Sequence, residues 1–147
     1  MGIYNEELIL RQLRVTNFNS DLKKYAFVKL PFQDRSKLLG LLLNVTKPFF
    51  EFILDKNEIT VVAEEKIWND IKPSLNPLKE DFPLGLITCD VVEDNATGYL
   101  LKVLEVLSPN NIGVYVQGAY TTDNILVHYD DLDKALSLLK NKFNRKE

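Results

Sequence analysis

Gly113-Val-Tyr-Val-Gln-Gly-Ala-Tyr-Thr-Thr-Asp-Asn-Ile-Leu-Val-His-Tyr-Asp-Asp-Leu132 decides how this chain is read. Two β-rich runs, Val114–Gln117 and Ile125–Tyr129, flank a polar connector from Tyr120 to Asn124. Such runs joined by a short turn-prone segment predict an antiparallel pair. Asp123 stands at the end of the connector, where a rigid sheet can aim its carboxylate at a ligand. Asp130 and Asp131 then open a stretch of helical period that carries Leu132, Ala135, Leu136 and Leu139. The order is strand, turn, strand, helix.

The segments before this stretch supply the rest of the unit. Leu84–Val91 reads as a strand, and Asn95-Ala-Thr-Gly98 leads into a helix with Leu100, Val103, Leu104 and Leu107 on one face. Ser74–Pro83 has two prolines and no periodicity and reads as a linker. The first half repeats the order. Tyr25–Leu30 is a strand stopped by Pro31. A helix opening at Asp34 carries Leu38, Leu41, Leu42 and Val45 at i, i+3, i+4 and i+7. Leu39 and Leu43 widen its apolar face, so burial on more than one side is expected, and Gly40 is expected at a close helix–sheet contact. Phe49–Leu54, a turn at Asp55–Glu58 and Ile59–Val62 form the next hairpin, and a helix over Glu64–Ile71 places Trp68 in the core. Tyr4–Val15 alternates in part and is predicted as an added strand, with a short helix as the alternative. The expected organisation is an arm over residues 1–20, one unit over 21–73, the linker over 74–83 and a second unit over 84–143.

The two units run β-α-β-β-α. At an offset of about 66, Phe49–Leu54 falls on Tyr115–Tyr120, Asn57 on Asp123, and Glu64-Glu65 on Asp130-Asp131, which predicts an internal repeat. A β-α-β-β-α unit of this size resembles the ACT domain without its last strand, a place that the N-terminal run or a partner can fill. More specifically, Ala119-Tyr-Thr-Thr-Asp-Asn-Ile-Leu-Val-His-Tyr-Asp-Asp-Leu132 is similar to a hairpin pattern of the small tandem-ACT proteins and the related CASTOR arginine sensors. The resemblance is strong from about Leu84 to Leu139 and weak before. It implies an α+β fold of two ferredoxin-like ACT (βαββα) units side by side, with antiparallel sheets and helices on one face. It also implies an amino acid held between the two units. Carried over, Asp123 takes the place of the acidic ligand contact. Asn95, Ala96, Thr97 and Gly98 take that of the helix-start loop, and Tyr120 and Thr122 complete the expected ligand-binding set. Gly118-Ala119 stands where the family has Ser-Thr, and Ala96 where an acid is common, so arginine specificity is not carried over.

The residues make chemical sense of this on their own. Backbone N–H groups at a helix start suit a carboxylate, and a carboxylate such as Asp123 suits an ammonium. Together they recognise a zwitterion. The plainer alternatives are that Asn95 or Thr97 caps the helix and that Asp123 makes the turn.

Composition narrows the remaining classes. The chain has 147 residues, 46% apolar and 27% charged, the profile of a globular protein able to bury a core without staples. No apolar run approaches the length of a membrane span. The net charge of −3, with basic residues scattered, opposes nucleic-acid binding through surface aromatics such as Phe50, Phe52 and Tyr115. One cysteine, Cys89, excludes an internal disulfide, and with one histidine, His128, no zinc-ligand spacing exists. Cys89 reads as a buried strand thiol, and His128 as a solvent-facing strand residue near Asp130 and Asp131. No P-loop, dinucleotide motif or catalytic set is present. The expectation is a cytoplasmic (or also nuclear), non-enzymatic regulatory protein with no cofactor and no metal. It binds a small amino acid and meets a protein partner or a second copy. The alternative is an interaction module that has the fold and no ligand.

Overall fold

The computed structural model describes residues 4–45, 49–90 and 97–144. The chain divides into two compact units: Lys23–Leu84, and Met1–Leu22 taken with Gly85–Glu147. Each contains antiparallel strands and helices in the βαββα order that the sequence predicts, the N-terminal run apart.

In the Lys23–Leu84 unit the strands are β2 (Lys24–Pro31), β3 (Phe50–Leu54) and β4 (Glu58–Glu64). The centre of the ladder is β4, which pairs with β2 from Tyr25↔Glu64 to Pro31↔Glu58 and with β3 from Phe50↔Ala63 to Leu54↔Ile59. The helices are α2 (Arg35–Leu42) and α3 (Glu65–Ile71). Ala26, Val28 and Leu30 of β2 meet Ile59, Val61 and Ala63 of β4, and Leu38, Trp68 and Ile71 of the two helices cover them. Trp68 is in the core as expected, and its indole N–H donates to Glu80 Oε1 at 2.8 Å. Asp34 lies ahead of α2 but does not cap it. Its buried carboxylate accepts from the Asn76 backbone N–H at 2.7 Å and from Asn76 Nδ2 at 2.9 Å.

Three expectations for this part of the chain are corrected. α2 ends at Leu42, and Leu39 and Leu43 are 48% and 85% exposed, so the helix is buried on one side only. A Cβ on Gly40 would meet nothing within 4 Å, so no close contact requires that glycine. The linker is shorter than 74–83, because β5 already begins at Lys79 and runs to Asp90. Leu78 N–H donates to the Lys29 carbonyl at 2.8 Å, which brings the chain alongside β2 just before β5 starts. Pro83, inside β5, hid this, because a proline within a run argues against reading it as a strand.

In the other unit the N-terminal run is a helix, α1 (Glu6–Val15), and not the added strand. Asn5 Oδ1 accepts from Leu8 N–H at 3.0 Å as its cap, Glu6 and Glu7 occupy the first turn, and Ile9, Gln12 and Leu13 are buried at i, i+3 and i+4. Alternation over a few residues had masked that stripe. The added strand is the shorter β1 (Asn17–Asn19), antiparallel to β5 with Phe18 opposite Cys89. It fills the edge that a βαββα order leaves open. On the other side of β5 lie β7 (Thr122–His128) and then β6 (Val114–Gly118). α4 (Tyr99–Leu107) and α5 (Leu132–Phe143) pack on one face with α1. Their core joins Ile9, Leu13, Phe18, Ile87, Cys89, Val103, Ile125 and Leu139. Asn144, just past α5, donates from Nδ2 to the carbonyls of Thr16 and Arg14 at 3.0 and 3.2 Å, tying down the end of α1.

The two hairpins repeat at an offset of 64, with Phe50 on Val114 and Glu58 on Thr122, rather than 66. Asp123 therefore corresponds to Ile59 and not to Asn57. Both offsets are even, so both keep every side chain on its own face.

Candidate functional site

Asp123 is the second residue of β7 and lies inside the strand, not in the connector. Its Cα partner is Gly118, and a Cβ on Gly118 would come 3.7 Å from Asp123 Oδ1, an ordinary contact. The turn is closed by backbone alone, Ala119 N–H donating to the Thr122 carbonyl at 2.9 Å, so the Asp123 side chain is not its clasp.

Strand alternation fixes where that carboxylate points. Ile125 and Val127, two and four residues on, belong to the core under the helices, so Asp123 shares their face. Among the described residues no hydrogen bond or ion pair reaches it. It is half-buried, and withdrawal from water pushes its carboxyl above the ordinary value. A carboxylate so placed is short of a cation.

The same face holds Cys89 of β5 and Tyr99, the first residue of α4, both buried. Burial pushes the Cys89 thiol up to about 12, with the charges of Asp123 and Asp90 adding to it against a lowering contact from Tyr99. At neutral pH it stays a thiol and is no nucleophile. The Tyr99 phenol is raised as well, by burial first and then by Cys89, and Asp123 contributes there too. Its hydroxyl has the Thr16 and Cys89 side chains nearby but completes no hydrogen bond of good geometry. Strand β7 and the start of α4 thus bring Asp123 and Tyr99 together. Sequence reasoning missed Tyr99, which stands one residue before Leu100, the first position of the apolar face read from the sequence.

Gly98 caps α4 in the left-handed region, at φ 101°, without a side-chain cap. Thr97 precedes it on the surface and is not the cap. The space beside Gly98 is taken by the chain's own arm. The Tyr4 ring carbons Cδ2 and Cε2 stand 2.9 Å from where a Cβ on Gly98 would be, and Ile9 Cδ1 stands 3.2 Å from it. Glu6 Oε1 pairs with Lys102 Nζ at 3.0 Å and Glu105 Oε2 with the same ammonium at 3.1 Å, which raises the Lys102 pKa and holds the start of α1 on α4. Thr122 is half-buried beside Asp123, whereas Tyr120 is 94% exposed at the hairpin tip. Asn95 and Ala96 lie outside the described residues. His128 is exposed, with Nδ1 3.7 Å from Asp130 Oδ2. No cluster of metal-ligating side chains occurs among the described residues, and no helix is long and apolar enough to cross a membrane.

Of these residues, those from Cys89 to Asp130 fall within a known family model. Residues 87–141 match the ACT domain. The matched segment includes α4, β6, β7 and Asp123. No curated protein matches this chain. Among solved structures, the fold is shared with a Vibrio cholerae protein of unknown function described as a possible transport protein. That match has TM-score 0.71 and 22% identity over 94% of this chain and 96% of that one. It is also shared with Clostridium acetobutylicum aspartate kinase, at TM-score 0.63 and 18% identity, over 88% of this chain and 34% of that one. The regulatory subunit of the Thermus thermophilus aspartate kinase, in its ligand-free form, gives TM-score 0.64 and 9% identity over 86% and 97%.

Proposed function

We propose that this chain is a non-enzymatic regulatory protein that binds a small amino acid at its ACT domain. Asp123 takes the ligand's ammonium, and Thr122, Thr97, Gly98 and the preceding Asn95 and Ala96 take its polar remainder. The observation that carries the reading is the half-buried Asp123 carboxylate, unpartnered among the described residues and raised by loss of water. A ligand ammonium would supply the missing charge-assisted hydrogen bond. The ACT match and the fold shared with aspartate-kinase regulatory chains support a regulatory role. The second βαββα unit, Lys23–Leu84, is read as a further ACT-like copy, which makes the whole similar to tandem-ACT proteins and the CASTOR family.

A second reading has its own observation. The Tyr4 ring fills the space at Gly98, and Gly118 and Ala119 offer no side-chain polar group, which favours an interaction module with the fold and no ligand. Thermal unfolding in the presence of each of the twenty amino acids separates the two. A rise in Tm with at least one, lost in Asp123→Asn, supports ligand binding. No rise with any of them, in a well-folded sample, leaves the interaction module.

A further inference from the structure

Two side chains crowd the open side of Gly98, and they are held differently. Ile9 is fully buried in α1, and the pair of Glu6 with Lys102 keeps that helix against α4. Tyr4 stands ahead of the Asn5 cap and outside the helix. Among the described residues no hydrogen bond engages it, and it is 55% exposed. A ring needed only to seal the core would be covered. This one can leave Gly98 by rotating the bonds before the cap, while Ile9, Leu13 and the Glu6–Lys102 pair hold α1 in place.

We propose, on the reading that an amino acid is held at Gly98 and Asp123, that the Tyr4 ring is a built-in competitor that covers the Gly98 backbone until a small amino acid displaces it. The exclusion is steric. A glycine opens its backbone to a ligand on the side where other residues carry a Cβ. The ring carbons Cδ2 and Cε2 stand 2.9 Å from that place. Non-bonded carbon atoms keep roughly 3.5–4.0 Å between them, so a ligand atom and the ring cannot share it. Ring-in and ring-out are then two states. An amino acid that binds only the second has its apparent affinity lowered by the fraction of the protein in that state. A half-covered aromatic contact with no polar tie favours ring-in by about 5- to 10-fold. That bias is small enough for an amino acid to reverse and large enough to quieten the site when the amino acid is scarce.

The test titrates wild type, Tyr4→Ala and Tyr4→Phe by calorimetry with each of the twenty amino acids in turn. Tyr4→Ala should bind at least one of them about 5- to 10-fold more tightly than wild type does. Tyr4→Phe, which keeps the ring, should match wild type. A second readout needs no variant. A nuclear Overhauser contact between the Tyr4 ring protons and the Gly98 α-protons should be present in the unliganded wild type and lost when that amino acid saturates it. Equal affinity in wild type and Tyr4→Ala, or a ring contact that survives saturation, would overturn the competitor and leave ligand binding at Asp123 standing. Absence of binding in Tyr4→Ala and wild type alike would reject both.

Discussion

The ring of Tyr4 lies against the backbone of Gly98, its two nearest carbons 2.9 Å from the place a Cβ would take. One glycine therefore answers two demands: a left-handed cap at φ 101° and room for an aromatic ring.

The two demands can be separated. Gly98→Ala should destabilise the protein by about 2 kcal/mol, part from the positive φ and part from the ring. In a Tyr4→Ala background the same change should cost about 1 kcal/mol, since only the backbone part remains. Denaturant unfolding of the four proteins measures the coupling. Equal costs in both backgrounds would show that the ring contact carries no energy.

Asp123 makes the opposite kind of prediction, a residue whose removal helps the fold. Its carboxyl is raised by loss of water. Between the ordinary carboxylate value and the raised native one, the folded state holds a proton that the unfolded chain has released. The group's contribution to stability therefore falls as pH rises through that window. Without ligand, Asp123→Asn should have a Tm at or above wild type at neutral pH, and the difference should close as pH drops below the window. The same variant should weaken amino-acid binding by roughly 10- to 100-fold, the worth of a charge-assisted hydrogen bond. Wild-type binding should also fade as pH drops through the raised value, because a neutral carboxyl no longer attracts an ammonium. Calorimetric titration at two pH values checks both.

Gly40 lies in the interior of α2 with open space where a side chain would be. Gly40→Ala should stabilise the protein by about 0.5–1 kcal/mol, through better helix propensity and a less floppy unfolded chain. Denaturant midpoints check it, and a loss of stability would mean that an unseen neighbour needs the space.

Much of the fold was legible because it rests on period. The strands β2, β4, β6 and β7 and the helices α3, α4 and α5 follow apolar spacing that a core must have, and Trp68 and Cys89 went inside as their neighbours required. What failed was decided by other terms. For α1, a capping asparagine and acidic first turn outweighed a brief alternation. The repeat offset was wrong by two residues because a two-residue slip leaves every face unchanged. The exposed Leu39 and Leu43 could not be told from core leucines by period alone, since what limits burial is how much sheet lies beneath α2. At the site, Asp123 was visible as a charge in a β-rich setting. Tyr4 over Gly98 was not, because that contact joins residues 94 positions apart in the chain and leaves no local pattern.

Backbone amide NMR of the protein titrated with whichever amino acid raises its Tm is the most direct test of the central claim. Shift changes should concentrate at Gly98, Tyr99, Thr122 and Asp123 and should vanish in Asp123→Asn. Changes confined to other parts of the chain, or unaltered by that substitution, would contradict a ligand held by this carboxylate.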